Sequence, residues 1–203
     1  MVEKMEISEA LNQALFLQIN AGAETSPVLI SIAMFIAVAL IYLIPLALLV
    51  AWLWLPAQRE LAVKASLTCA IALGLGQVIT LFWQHPRPFM IGLGHTWLAH
   101  AADASFPSDH GIVFASMALT LLLTRKLLPG LLLAVVGIAV AWSRIFLGVH
   151  FPFDMLGAVA VSLLAYVILR LLWSRKGTAL MHALTAVHGW LMALPISKGW
   201  VRP

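Results

Sequence analysis

Cysteine and charge are scarce in this chain, and each scarcity excludes something. Cys69 is the only cysteine in 203 residues, so there is no disulfide framework and no CxxC metal motif. It lies in an apolar run and reads as a passive core thiol. Charged residues make up 10% of the chain, against about 25% in an ordinary soluble domain. The 12 Lys and Arg residues form no stripe or cluster, so the net charge of +4 does not describe a nucleic-acid surface. No HExxH or similar ligand spacing occurs, so neither a metal nor another cofactor is expected. No repeat, low-complexity tract or long linker divides the chain. The N-terminus also lacks the basic start and short apolar run of a signal peptide; it carries Glu3, Glu6, Glu9 and Glu24 against Lys4.

What is abundant is apolar sequence in long blocks. Hydrophobic residues account for 63% of the chain and the mean hydropathy is +1.01, which implies an all-α, polytopic membrane helix bundle forming a single domain over 1–203. A span needs about 20 mostly apolar residues. Five candidates appear: Pro27 to Trp54 with a kink at Pro45, Leu61 to Trp83, Ser108 to Thr124, Leu127 to Leu147, and Phe153 to Trp173. Residues 1–25 and 178–194 read as amphipathic segments lying on the membrane. In the first, Leu11, Leu15, Phe16 and Ile19 have helical spacing. Residues 176–203 form the C-terminal tail.

Charge orients the bundle. Nine of the 12 basic residues fall on one side: Arg59, Lys64, Arg125, Lys126, Arg170, Arg175, Lys176, Lys198 and Arg202. The other side holds Lys4, Arg87 and Arg144 with seven of the eight acidic residues. The positive-inside rule makes the basic side cytoplasmic. The N-terminus and the loop from Gln84 to Pro107 then lie outside, and the C-terminus inside.

Three polar clusters resist a structural explanation, and with five spans all three fall on that outer face. They are His85-Pro86-Arg87-Pro88, Pro107-Ser108-Asp109-His110-Gly111, and Ser143-Arg144 with His150 and Asp154. Taken singly, each has a plain reading: an interfacial arginine, a helix cap, an interfacial histidine. Together they supply anion recognition and proton transfer. Arg87 and Arg144 are permanent cations whose donors fit phosphate oxygens. A helix starting at Ser108 presents free N–H groups and a positive dipole end, and Gly111 allows close backbone approach. His110 and His150 can divide nucleophile and general-acid roles. Asp154, four residues after His150, can hold one ring nitrogen and leave the other free. His85 and Asp103 are undecided; His95 and His100 read as loop residues, and His182 and His188 lie on the inner side.

At these residues the chain resembles the type 2 phosphatidic-acid phosphatase superfamily, whose signature is Lys-x6-Arg-Pro, Pro-Ser-Gly-His and Ser-Arg-x5-His-x3-Asp. Arg87-Pro88 matches the end of the first part, Pro107-Ser108-Asp109-His110 the second with one change, and Ser143-Arg144, His150 and Asp154 the third in full. Thr80 stands in the lysine position and Asp109 in the glycine position. Gln77, Gln84 or His85 are the candidates to compensate for the lysine. The Pro-Ser-Asp-His variant and its surroundings are similar to bacterial undecaprenyl-pyrophosphate phosphatases of the bacitracin-resistance type.

The resemblance implies that His150 attacks the terminal phosphorus, that Asp154 orients it, and that His110 protonates the departing lipid phosphate and then activates water. Arg87, Arg144, Ser108, Asp109 and Gly111 would bind the phosphate. It implies no metal, a lipid pyrophosphate substrate, membrane lipids as surroundings and no nucleic-acid partner. The oligomeric state is open. Rival readings are the same chemistry on phosphatidylglycerol phosphate, diacylglycerol pyrophosphate or lipid A phosphate, a phosphotransferase, and a channel or transporter.

Overall fold

The computed structural model describes residues 2–203, with side chains from Glu6 onward, and the described residues form helices and turns only. The helices are α1 (Val2–Ile19), α2 (Pro27–Ala39), α3 (Leu43–Trp54), α4 (Arg59–Phe82), α5 (Asp109–Leu123), α6 (Leu127–Phe146), α7 (Pro152–Leu191) and α8 (Ala193–Ser197). Four stretches are long and apolar enough to cross a membrane: Pro27–Trp54, Pro56–Phe82, Leu127–Phe146 and Pro152–Leu191. The chain is a multi-pass membrane protein.

Pro45 breaks the first span as its chemistry requires. A proline lacks the N–H that would bond to the carbonyl four residues earlier and its ring crowds that carbonyl. The helix tightens into a 3-10 turn over Leu40–Tyr42 between α2 and α3. The expected third span is different. It is α5, only 15 residues, and at 1.5 Å per residue it extends about 22 Å, short of the ~30 Å hydrocarbon core. Ser108 caps it at one end, and Arg125 in a left-handed conformation (φ 65°) turns the chain at the other. α5 packs against α4, α6 and α7 and so occupies the middle of the bundle.

Small and hydroxylated side chains join these helices. Thr120 of α5 donates to Thr68 of α4 at 3.2 Å, Ser116 of α5 donates to Ser162 of α7 at 3.0 Å, and all four are fully buried. Such bonds are worth about 0.6 kcal/mol each between membrane helices. Gly111 brings α5 onto α7, where a methyl group in its place would meet the Ala158 Cβ at 2.8 Å. Cys69 is buried with Phe114, Met117 and Val140.

Two terminal expectations need correction. Residues 178–194 are not a separate surface segment: α7 continues without a break from Pro152 to Leu191. No proline lies between Trp173 and Leu191, and Gly177 and Gly189 each cost a helix only about 1 kcal/mol. Its end returns to the α3–α4 turn, where the buried His188 meets the Arg59 guanidinium at 3.0 Å. In α1, the inward residues are Asn12 and Phe16, while Leu11 is exposed. Asn12 accepts from the Phe153 amide in the first turn of α7, and the Phe16 ring packs edge-on against Phe151 at 5.4 Å. α1 therefore braces the helix that carries Asp154.

Candidate active site

The three sequence clusters meet at the ends of α4, α5, α6 and α7. Arg144 closes α6, and the turn to α7 carries His150 and then Asp154 in the first turn of α7. Gly148 (φ 84°) makes that turn possible and lets the 84–107 loop lie against it, since any Cβ there would collide with the His95 carbonyl.

His150 and Asp154 form the core of the site, and both are almost fully buried. Asp154 Oδ2 lies 3.1 Å from His150 Nδ1 and also accepts from the Phe151 amide at 2.8 Å and from the Ser105 hydroxyl. A carboxylate held by two further donors cannot swing, so it holds Nδ1–H and leaves the Nε2 lone pair outward. Burial pushes the His150 imidazole down to about 4, with Asp154 opposing that shift, so the ring is neutral at pH 7. A neutral imidazole is the nucleophilic form.

Arg87 lies 3.1 Å from His150 Nε2 through one terminal nitrogen. Its other bonds go to the Asp103 carboxylate (2.8 Å) and to the carbonyls of Val149 (2.9 Å) and Ala104 (3.2 Å). It thus ties the loop to the histidine turn as well as facing the His150 ring. Arg144 is different. Its side chain is 3% exposed, and its Nε is buried with no acceptor. An unsatisfied charged donor is expensive, at least about 1–3 kcal/mol. An anion would satisfy that donor.

On α5, Ser108 is the N-cap and its hydroxyl accepts from the Gly111 amide at 3.3 Å. The Gly111 N–H is thereby engaged, so its contribution here is the close packing on α7 rather than a free donor. Asp109 is exposed in the first turn and forms no ion pair among the described residues. It stays within electrostatic reach of both Arg87 and Arg144, whose positive charges favour its carboxylate. His110 is half-buried and within electrostatic reach of Arg144, His150, His100 and Arg87.

His100 corrects its reading as a plain loop residue. Its ring lies 6.1 Å from that of His150, edge to face, with Nδ1 3.1 Å from the Ala101 carbonyl and 3.7 Å from Asp103. Burial lowers its pKa. Asp103 belongs here too: burial raises its pKa, but the Arg87 hydrogen bond and charge more than offset that and leave it lowered. Neither residue has a helical register that could have flagged it. His85 instead pairs with Glu9 at 3.2 Å and packs on Phe151, behind the site. Thr80 donates to its own helix at Gln77, so the added group beside His150 is His100.

With this geometry in view, the sequence pattern of the PAP2 superfamily matches residues 61–179, more than half of the chain and all of the site from Arg87 to Asp154. The chain belongs to the PAP2 superfamily. Among relatives, it is 43% identical to YbjG of Escherichia coli (strain K12), a protein provisionally named an undecaprenyl-diphosphatase, over 96% of this chain and 98% of that one. It is 35% identical to the undecaprenyl-diphosphatase BcrC of Bacillus subtilis (strain 168), covering 76% of this chain and 80% of BcrC. The PAP2 fold is matched by the crystal structure of Aquifex aeolicus LpxE, with a TM-score of 0.67, 24% identity, and coverage of 78% of this chain and 94% of LpxE.

Proposed function

We propose that this PAP2 protein removes the terminal phosphate of undecaprenyl pyrophosphate, at the periplasmic face of a bacterial inner membrane. The observation that carries the reading is Arg144, a buried guanidinium with an unpaired donor close to two histidines. The long-chain isoprenoid comes from the relatives: the chain aligns over most of its length with proteins named for that substrate. The membrane face follows from charge. Lys64, Arg125 and Arg170 line one hollow at the end of the bundle opposite the site, which by the positive-inside rule supports an outer site.

The mechanism is in-line displacement on phosphorus. The terminal phosphate takes the Arg144 donors and draws the Arg87 N–H away from His150 Nε2. The freed lone pair attacks phosphorus, a P–N bond forms, and the bridging P–O bond breaks. Asp154 stabilises the charge that develops on the ring. His110 enters this step as an imidazolium, protonated once the phosphate anion offsets the neighbouring arginine charge. It gives that proton to the departing lipid phosphate, then, now neutral, takes one from the water that hydrolyses the phosphohistidine. Two arginines and the N-terminal dipole of α5 hold the equatorial oxygens, the kind of preorganised electrostatics that is commonly the largest catalytic contribution.

The test is phosphate release from undecaprenyl pyrophosphate in detergent with a chelator present. Wild type should turn over, and His150→Ala should lose essentially all turnover while keeping its melting temperature. An active His150→Ala protein, or activity that vanishes with the chelator, rejects the mechanism. Parallel assays on phosphatidylglycerol phosphate, diacylglycerol pyrophosphate and lipid A phosphate decide the lipid. Label appearing on an acceptor lipid rather than in water would identify a phosphotransferase.

A further inference from the structure

His110 lies on α5, Arg144 on α6 and His150 in the turn that leads into α7, and the same three helices enclose an apolar groove. α5 packs along both α6 and α7, while α6 and α7 meet each other far less. The gap between them is floored by α5 and forms a hollow of about 350 Å³. Its floor is made of small side chains, Gly111, Ala115 and Ala118, with Ala134 and Ala141 on the α6 wall. It begins at Gly111, one residue past His110, and at Met155, one residue past Asp154. From there it follows α5 to Leu122, about 16 Å by helical rise. Its lining is almost wholly apolar.

We infer that this groove holds the proximal isoprene units of the substrate tail, so that it sets the requirement for a long isoprenoid. The inference rests on the phosphatase reading above. Two observations point to this occupant. The groove starts at Gly111 and Met155, the chain neighbours of His110 and Asp154, and runs from there along α5 away from the site. Arg144, 3% exposed with an Nε that has no acceptor, follows the groove-lining Ala141 by about one turn of α6, so an anion site and a tail site would adjoin. A lipid phosphate has that shape: an anionic head with an apolar chain attached to it. The small residues matter because a methyl-branched chain needs width, and each larger side chain would narrow the channel.

Substitution from the α6 wall tests this. Ala134→Phe adds a ring halfway down the groove, far from the phosphate. Val135→Phe places the same ring on the exposed face of α6, where Val135 is 65% exposed. kcat/KM is measured on undecaprenyl pyrophosphate and on isopentenyl pyrophosphate, which has the same head and almost no tail. Ala134→Phe should lower the value for the long substrate by about tenfold or more, or about 1.4 kcal/mol, and leave the short one within a factor of about two. Val135→Phe should change neither. Equal loss on both substrates, or loss on neither, overturns the inference. Melting temperatures in detergent identify a misfolded variant, and Ala115→Leu then makes the same test from the floor. Failure of the phosphatase reading looks different: wild type would release phosphate from neither pyrophosphate.

Discussion

Arg144 and His150 show how one burial serves two ends. Arg144 is held out of water with a donor unpaired, which costs stability in exchange for an anion site. Arg144→Met should therefore raise the thermal midpoint in detergent, through relief of about 1–3 kcal/mol. It should also lower kcat/KM by about 10²–10³, the usual effect of removing a charge-stabilising donor. Two assays on one variant check this. For His150, burial depresses the imidazole to about 4, below its ordinary value. Stability from the neutral ring is complete above the unfolded pKa near 6.5. It is lost as pH falls through about 4, because below 6.5 the unfolded chain takes the proton first. In ¹⁵N-histidine NMR, His150 should stay a neutral Nδ1–H tautomer at pH 5.5. An imidazolium signal there would contradict the geometry.

At the scale of elements, glycines and hydroxyls set how closely the helices approach. Gly157 of α7 faces the Phe106 ring, and a Cβ there would come within 2.1 Å of it. Phe106 adjoins Ser105, whose hydroxyl holds Asp154. Gly157→Ala should displace this loop, costing about 1–3 kcal/mol of stability and lowering turnover together. Thr120→Val should do less, about 0.5–1 kcal/mol in melting with turnover unchanged, because its bonds lie away from the site. A similar logic makes α1 part of the enzyme. Asn12 and Phe16 brace the start of α7, and neither stands out in sequence, since a buried Asn and Phe on a short helix are common core residues.

For the whole molecule, orientation is the claim with the widest reach. In a Cys69→Ser background, a cysteine at Ala101 should react with a membrane-impermeant maleimide added outside intact cells. One at Thr178 should react only after permeabilisation. The reverse pattern would put the site on the cytoplasmic side.

The helical class, four of the five expected spans, the Pro45 break and the polar clusters that bring Arg87, Ser108, His110, Arg144, His150 and Asp154 to one end of the bundle were legible in the linear order. Membrane burial requires long apolar blocks, and a phosphate site requires rare polar residues at their ends. The roles of His100, Asp103, Ser105 and Asn12 were not. Each depends on a contact made across the fold, such as Arg87 with Asp103 or Asn12 with Phe153, and no local periodicity encodes it. Gly111 serving helix packing and the unbroken length of α7 were likewise decided by tertiary structure. There the neighbours of a side chain, rather than its place in the chain, determine which way it can face.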